Sequence, residues 1–273
     1  MSKYTSCYRH TNQTRQRHLT TANAPIILPS TLPPRAPAMP PASRLTTLNE
    51  LPLPTFLAQL WPRDDPRVET PGPADGGGPW RLRLRAAEGL SEAELTGCFR
   101  LVRDSSAADY GASASGWRPG RKREEMRLRD LRYILLGRSS AGGELEGESC
   151  LPVGGFLSFM LTWEDGIEVI YCYEIHLDEC VRGRGVGKRL MGHFEEVGRK
   201  AGVEKAMLTV FKRNKAAMQF YERLGYEEDE YSPRPKKLRN GVVKELDYLI
   251  MSKSLIGGVK NHQEEGQRKR KAG

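Results

Sequence analysis

The glycine- and arginine-rich segment at residues 181–188 is the part of the chain whose composition first suggests chemistry. It reads VRGRGVGK and directly follows an apolar run that ends at Leu177. Glycines let the backbone adopt positive φ and approach a ligand closely, so successive N–H groups at a helix start can point at phosphate oxygens. The segment therefore predicts an anion site, with a pyrophosphate as the favoured ligand.

Spacing excludes two common phosphate motifs. A P-loop would need Gly at position 182 and Ser or Thr at position 189, where the chain has Arg182 and Arg189. A dinucleotide G-x-G-x-x-G beginning at Gly183 meets Lys188 in place of its third glycine. The pattern that remains, Arg-x-x-Gly-x-Gly over 182–187, does not by itself identify a phosphate site.

The elements around this segment are predicted as strand, glycine turn, helix, strand and helix. A strand over 169–177 enters the turn, and a helix with one apolar face follows it. Lys205 to Phe211 is predicted as the next strand, and Asn214 begins a short helix that carries Tyr221 and ends at Leu224-Gly225-Tyr226. The apolar positions of the first helix are Val186, Leu190, Met191, Phe194, Val197 and Ala201.

Two helices and an antiparallel meander are predicted before the site. Ser91 and Glu94 form a capping box that begins the first helix, and residues 121–126 favour a second. The three strands of the meander are predicted at 133–136, 153–163 and 168–177, the last two joined by a turn at Glu164-Asp165-Gly166.

The composition of both ends differs from that of the middle. Of the 18 prolines, 14 lie between residues 25 and 79, so residues 1–80 are predicted to be a disordered arm, with a short helix near Leu51–Leu60 that could dock on the domain. An organellar transit peptide is an alternative for the acid-free start. Residues 257–273 are predicted to be a basic disordered tail, in which the run 268–271 could be a nuclear import signal.

Cysteine usage, hydropathy and charge exclude several classes of protein. The five cysteines are scattered and lack metal spacing, which favours reduced thiols and argues against a zinc site or a disulfide framework. No apolar stretch reaches the roughly 18 to 20 residues of a bilayer span, so no membrane association is expected. Residues 81–256 carry only +3 of the net charge of +9, which gives no reason to expect sequence-specific nucleic-acid binding.

The motifs together resemble the acetyl-CoA-binding half of the GNAT N-acetyltransferase superfamily: Arg182-x-x-Gly185-x-Gly187, then a strand, then Asn214 with Tyr221 seven residues later. Within that likeness, VIYCYE at 169–174, MLTVFK at 207–212, and Trp117 with KREEM at 122–126 are similar to the N-alpha-acetyltransferase D (NatD) family. That family acetylates the N-terminal serine of histone H4 and of the A-type of histone H2. The resemblance covers roughly residues 90–252. It implies a GNAT domain over 81–256, of the α/β (α+β) class, with a mixed central sheet and flanking helices.

The resemblance also implies a set of site residues. Backbone groups of Ile175, His176 and Leu177 would meet the acetyl and pantetheine portion of acetyl-CoA, the co-substrate, while Thr209 and Asn214 would contact its arm. The pyrophosphate would be held by Arg182, Gly183, Arg184, Gly185, Val186, Gly187 and Lys188. The peptide groove would be lined by Tyr110, Trp117, Tyr171, Tyr173, Tyr248 and Ser232, with Tyr231 as the alternative to Ser232.

Glu174 would occupy the catalytic position, with Tyr173 beside it and Tyr221 placed to protonate the thiolate that leaves. A carboxylate between aromatic rings is expected to have a raised pKa and to act as a general base in direct transfer, without a metal. The chain departs from the family at Thr162, where a second carboxylate can stand. Glu164 or Asp165 could replace it.

The expected function is acetylation of N-terminal serine, with histone H4 and A-type histone H2 peptides as partners in nucleus and cytoplasm. Ribosome association through the basic tails is a further expectation. Two alternatives stay open, because the cofactor half is shared by all GNAT enzymes. One is transfer to a lysine side chain or a small amine; the other is a non-catalytic GNAT module that binds chromatin or RNA.

Overall fold

The structure is a computed structural model that describes residues 44–62, 80–113, 116–138, 153–237 and 243–256. Within these ranges, no helix is long and apolar enough to cross a membrane. The Pro-rich residues 1–43 and 63–79 and the basic tail at 257–273 lie outside them, so the predicted disorder there stays a prediction.

A seven-stranded mixed sheet forms the centre of the fold, as the sequence predicts. Its order is β1-β2-β3-β4-β5-β9-β6, and only the β4–β5 pair is parallel. A separate two-stranded sheet pairs β7 with β8. The strands are β1 Trp80–Ala86, β2 Arg132–Arg138, β3 Val153–Glu164, β4 Ile167–Leu177, β5 Lys205–Phe211, β6 Glu227–Glu228, β7 Lys236–Lys237, β8 Val243–Lys244 and β9 Tyr248–Ser254.

Six helices within the described ranges flank the sheet. The predicted capping box begins α3: Ser91 Oγ accepts from the Glu94 N–H at 3.1 Å, and the Glu94 carboxylate accepts from the Ser91 N–H at 3.0 Å. The helices are α1 Arg44–Glu50, α2 Leu53–Leu60, α3 Glu92–Ala112, α4 Pro119–Glu125, α5 Val186–Ala201 and α6 Lys215–Arg223, with short 3₁₀ turns at Ala87–Gly89 and Glu179–Val181.

Each face of the sheet packs against its own hydrophobic core. One core contains Phe194 of α5 and Phe56 of α2, and the other contains Val102 of α3 and Met126 beside α4. Side chains alternate between faces along a strand. Ile170 of β4 accordingly lies in the first core and Tyr171 in the second. The second face carries the candidate active site.

The prediction of a disordered arm is wrong over residues 44–62, which form α1 and α2 against the first core. The docking helix predicted near Leu51–Leu60 is confirmed as α2. The Arg132 guanidinium donates to the carbonyls of Leu48, Asn49 and Leu51 at 2.9–3.3 Å and lies 4.0 Å from the centre of the Phe56 ring. Proline did not prevent helix formation because it stands at the start of α2, where its missing N–H has no intrahelical partner to lose.

Candidate active site

The parallel strands β4 and β5 diverge in the middle of the sheet. Their pairing ends at Cys172 and Leu208, although β4 continues to Leu177 and β5 to Phe211. Beyond that point β5 keeps only its pairing with β9, and β4 keeps only its pairing with β3. The β4 edge at 173–177 is therefore open toward β5. Ile175, His176 and Leu177, predicted to offer backbone groups to a cofactor, lie along this opening.

The predicted anion loop lies at the end of the opening. Gly183 and Gly185 have φ of 75° and 77°, and a Cβ at either position would meet nothing within 4 Å. Gly185 precedes α5, whose first turn has no side-chain cap. Arg182 Nε donates to the Leu177 carbonyl at 2.9 Å, which fixes the loop against β4. Uncapped N–H groups at a helix start can bind the oxygens of a pyrophosphate.

The loop residues do not all have the same role. Arg184 and Lys188 are exposed, so their charges can reach an anion, whereas Val186 and Gly187 are buried. A Cβ at Gly187 would lie 3.2 Å from Cζ of Phe220. Gly187 therefore allows α5 to pack closely against α6. The sequence alone did not distinguish this packing role from phosphate binding.

A β-bulge on β4 changes the direction of Glu174. Ser158 of β3 pairs with Glu174 and the next residue, Phe159, pairs with Cys172, so Tyr173 is the extra residue of the bulge. Strict alternation from Tyr171 would send Glu174 to the α5 face of the sheet. The extra residue instead directs both Tyr173 and Glu174 toward α3 and α4.

Glu174 lies in a buried network of charged and polar groups. Only 2% of its surface is exposed. Its Oε1 accepts from Tyr110 Oη at 2.7 Å and from Lys122 Nζ at 2.8 Å, and its Oε2 lies 2.6 Å from His176 Nε2. Lys122 Nζ also donates to Glu125 Oε1 at 2.9 Å and to Tyr110 Oη at 3.1 Å. These five residues form what we call the buried cluster.

His176 contributes its side chain as well as the predicted backbone groups. The imidazole is fully buried, and its Nδ1 lies 2.6 Å from Ser105 Oγ of α3. Ser105 is half-buried and donates to the Leu101 carbonyl at 2.6 Å. The ring thus connects Glu174 to a side chain near the surface of α3.

The expectation of a raised pKa for Glu174 is wrong. Burial by itself raises the pKa, but the charge of Lys122 and the hydrogen bond and charge of His176 outweigh it, and the pKa of Glu174 is lowered to about 2. Burial likewise lowers the pKa of Lys122, while the carboxylates of Glu174 and Glu125 raise it, and the net direction is upward. Both groups are therefore charged at neutral pH, and Glu174 is a weak proton acceptor in this arrangement.

Aromatic side chains surround the buried cluster. The Trp117 ring lies 5.9 Å from Phe99 and 5.6 Å from Tyr110. Tyr171 Oη lies 2.5 Å from Thr209 Oγ1 across the β4–β5 pair. Tyr173 and Tyr248 are buried in the same core. A small open pocket above the cluster is lined by Tyr110, Gly116, Trp117, Arg118, Arg121, Lys122 and Glu125.

Two predicted residues on or near α6 are held by the fold itself. Asn214 accepts from the Ala217 N–H at 3.1 Å as the N-cap of α6. Tyr221 is fully buried in the core on the opposite face of the sheet from Glu174, between Phe220 and Tyr226. Its action on a leaving thiolate stays a prediction.

The structure does not bring Ser232 to the buried cluster. Its Oγ accepts from the Ile250 N–H of β9 at 3.1 Å, and β5 and β9 both separate this edge from β4. At about 4.8 Å per strand spacing, the hydroxyl is roughly 10 Å or more from β4. Ser232 fixes the turn after β6 to the sheet, and Tyr231 beside it is exposed. The expected contact of Ser232 with a substrate stays a prediction.

Glu164 and Asp165, the two expected replacements for a carboxylate at Thr162, both lie far from Glu174. Glu164 is six residues along β3 from Ser158, the partner of Glu174, or about 20 Å at about 3.3 Å per residue. Asp165 lies in the hairpin turn beyond it, with φ of 51°. The two acids lie at the far end of the β3–β4 hairpin.

Sequence reasoning missed Ser105, Glu125 and the individual role of Lys122. Lys122 and Met126 are four residues apart and both are buried, so they share the inner side of the α4 turn. A lysine in phase with a core methionine is the signal that could have identified it. In the described part of the chain, no group of three or more His, Cys, Asp or Glu side chains could hold a metal ion, and Cys98, Cys172 and Cys180 form no disulfide.

Comparisons with known proteins agree with this geometry. Residues 109–226 match the model of the acetyltransferase (GNAT) family. N-alpha-acetyltransferase 40 of Saccharomyces cerevisiae is 36% identical over 101 residues, which cover 30% of this chain and 35% of the yeast protein. Thialysine N-epsilon-acetyltransferase of Bos taurus is 31% identical over 86 residues, 32% of this chain and 49% of that protein.

The chain thus spans less than half the length of either relative. A solved structure, the ribosomal-protein-S18-alanine N-acetyltransferase from Escherichia coli, aligns with a TM-score of 0.39 at 18% identity, over 66% of this chain and 97% of that one. The mixed sheet with its diverging β4–β5 pair has the GNAT fold, and the match over 109–226 makes this part of the chain similar to the acetyltransferase (GNAT) family.

Proposed function

We propose that the protein transfers the acetyl group of acetyl-CoA to the free N-terminal serine amine of histone H4 and of the A-type of histone H2. The observation that carries this proposal is the buried cluster, which lies beneath a pocket walled by Trp117 and Tyr110 and beside the opening between β4 and β5. Similarity to the yeast N-alpha-acetyltransferase 40 supports an N-terminal acceptor.

The residues divide into a cofactor side and an amine side. Acetyl-CoA supplies the activated thioester; the open edge of β4, the Gly183–Lys188 loop and Asn214 would hold it. On the other side, the ionised carboxylate of Glu174 attracts a cationic N-terminus and orients it. Once neutral, the amine nitrogen bonds to the acetyl carbon while the carbon–sulfur bond breaks, and the second proton that the nitrogen loses passes through water to the coenzyme A thiolate that leaves.

A strong general base is not required for this acceptor. The α-amino group of a peptide has a pKa of about 7.7 to 8.0, so an appreciable fraction is already neutral near pH 7. Glu174, with its pKa of about 2, acts by charge and orientation in place of the proton abstraction that the sequence suggested. The proton of the ammonium group goes to water in the open pocket.

The proposed partners are the N-terminal peptides of these histones, which begin Ser-Gly-Arg-Gly. We propose that the protein meets them in both nucleus and cytoplasm, and that the basic ends of the chain could associate with ribosomes. The termini that would carry such contacts lie outside the described residues.

A second candidate is transfer to a lysine side chain or a small amine. The likeness to thialysine N-epsilon-acetyltransferase, whose name specifies a side-chain amine, favours it. A third, a GNAT module that binds chromatin or RNA without catalysis, has less support, because the anion loop and the opening beside it are both intact.

One assay separates the three. The protein is incubated with acetyl-CoA and a Ser-Gly-Arg-Gly peptide that also contains lysine, and an N-terminally blocked copy serves as the control. Transfer to the free peptide alone supports the proposal, and transfer to the blocked copy supports the lysine acceptor. No transfer to either peptide, together with tight RNA binding, supports the third candidate.

A further inference from the structure

We propose that Lys122 is a positioning residue, which keeps Glu174 in its ionised form and fixes helix α4 over the open pocket. This inference rests on the proposed function, because it assigns the role of Lys122 in the same site. The chemistry it concerns is the capture of a cationic amine by Glu174.

The first support is the completeness of the contacts around Lys122. An ammonium group has three N–H donors, and three oxygens surround Nζ: Glu174 Oε1 at 2.8 Å, Glu125 Oε1 at 2.9 Å and Tyr110 Oη at 3.1 Å. Only 4% of the residue is exposed. A buried charge is tolerated only when it is paired and hydrogen-bonded, so this ammonium belongs to the folded arrangement.

The second support is the set of charges that face Glu174. Helix α4 contributes Lys122 and Glu125, α3 contributes Tyr110, β4 contributes His176, and β2 contributes Tyr133, whose pKa is raised by burial and by Cys98, Glu174 and Glu125. Of these groups, Lys122 opposes the effect of burial on Glu174 most strongly. Without it, burial and the neighbouring Glu125 would both favour the protonated acid, which would no longer attract an amine.

The third support is the shortness of α4. Seven residues form this helix, and its neighbours Trp117 and Met126 reach the core at its two ends. Between these two ends, Lys122 donates the hydrogen bond that connects α4 to Glu174 on the sheet. The same contact therefore sets the distance between the pocket wall and the carboxylate.

The test compares Lys122→Met with Lys122→Arg, which keeps the charge. A matched control is Lys205→Met, which removes a lysine paired with Asp229 at the far end of β5. We expect kcat/KM for the serine peptide to fall about 100-fold in Lys122→Met, as for other small displacements of reacting groups. As the pH is lowered, we also expect the reaction rate of Lys122→Met to fall at a higher pH than the rate of the wild type. Lys122→Arg should regain part of the wild-type kcat/KM and pH dependence, and Lys205→Met should change neither.

A readout without substrate keeps the inference separate from the proposed function. Carbon-13 NMR of glutamate carboxyls, with the Glu174 signal assigned by Glu174→Gln, should show Glu174 titrating at a higher pH in Lys122→Met. If this shift appears but no peptide is acetylated, the proposed function fails while the effect of Lys122 on ionisation stands. An unchanged Glu174 titration in folded Lys122→Met overturns the inference.

If Lys122→Met does not fold, the double variant Lys122→Met with Glu174→Gln should regain stability without activity. A double variant that stays unfolded also counts against the inference.

Discussion

The charge state of Glu174 decides what this site can do. Desolvation and ion pairing act on the carboxylate in opposite directions, and the balance depends on Lys122 and His176, which are distant from each other in sequence. An aromatic environment alone would suggest a base of raised pKa. The buried lysine reverses that inference and makes an electrostatic role the better account.

Replacing Glu174 by Gln should lower turnover of the serine peptide about 100-fold, because the fixed charge that orients the amine is lost. Coenzyme A affinity should change little, since the anion loop does not use this side chain. Steady-state kinetics and calorimetry measure the two quantities. Glu230→Gln, an exposed acid, is the control. Equal losses in turnover and coenzyme A affinity would contradict the separation of the two sides.

Glu174 should also make stability depend on pH. Its pKa is about 2 in the folded protein against an ordinary value of 4.5, so the unfolded chain binds the proton more tightly. Its stabilising contribution is therefore complete above about pH 5 and is lost as the pH falls toward 2. Urea unfolding between pH 7 and pH 3 should show a steeper loss in the wild type than in Glu174→Gln. Parallel curves would mean that the ion pair does not form.

At the scale of elements, the fold was largely predictable and the orientation of Glu174 was not. Hydrophobic periodicity located α3, α5, β3, β4 and β5, because each buries one face or one alternating set of side chains. No periodicity reveals the bulge at Tyr173, since it arises from the register with β3. The distance of Ser232 from Glu174 could not be predicted for a similar reason: it depends on strand order, which the local sequence does not specify.

The turn before α5 can be tested with two glycines of the same region. Gly185→Ala should destabilise the protein by about 1 to 2 kcal/mol, because φ of 77° is unfavourable for a residue with a Cβ, and it should weaken coenzyme A binding. Gly192→Ala, in the exposed middle of α5, should stabilise it by about 0.5 to 1 kcal/mol. Thermal unfolding and calorimetry test both. A Gly185 variant with unchanged coenzyme A affinity would remove the loop from the cofactor site.

At the scale of the whole molecule, the catalytic domain includes the helices at 44–62. Their side chains share a core with α5, and Arg132 binds three carbonyls of this segment. A domain limited to the family match would therefore leave part of that core uncovered.

Phe56→Ala should lower the free energy of unfolding by about 3 to 5 kcal/mol, because the ring is fully buried and also contacts the Arg132 guanidinium. Gln59→Ala, on the exposed side of the same helix, should have little effect. Urea unfolding of both variants measures the difference. Similar stabilities would show that α2 is not part of the cooperative unit.

Arg44, the first described residue, marks where the long N-terminal segment joins the domain. It binds Glu168 near the start of β4 and the Gly202 carbonyl after α5. Leu177, beside the cofactor opening, is nine residues further along β4, about 30 Å away. Arg44 thus fixes the entry of the chain into the domain at the opposite pole from the candidate cofactor opening.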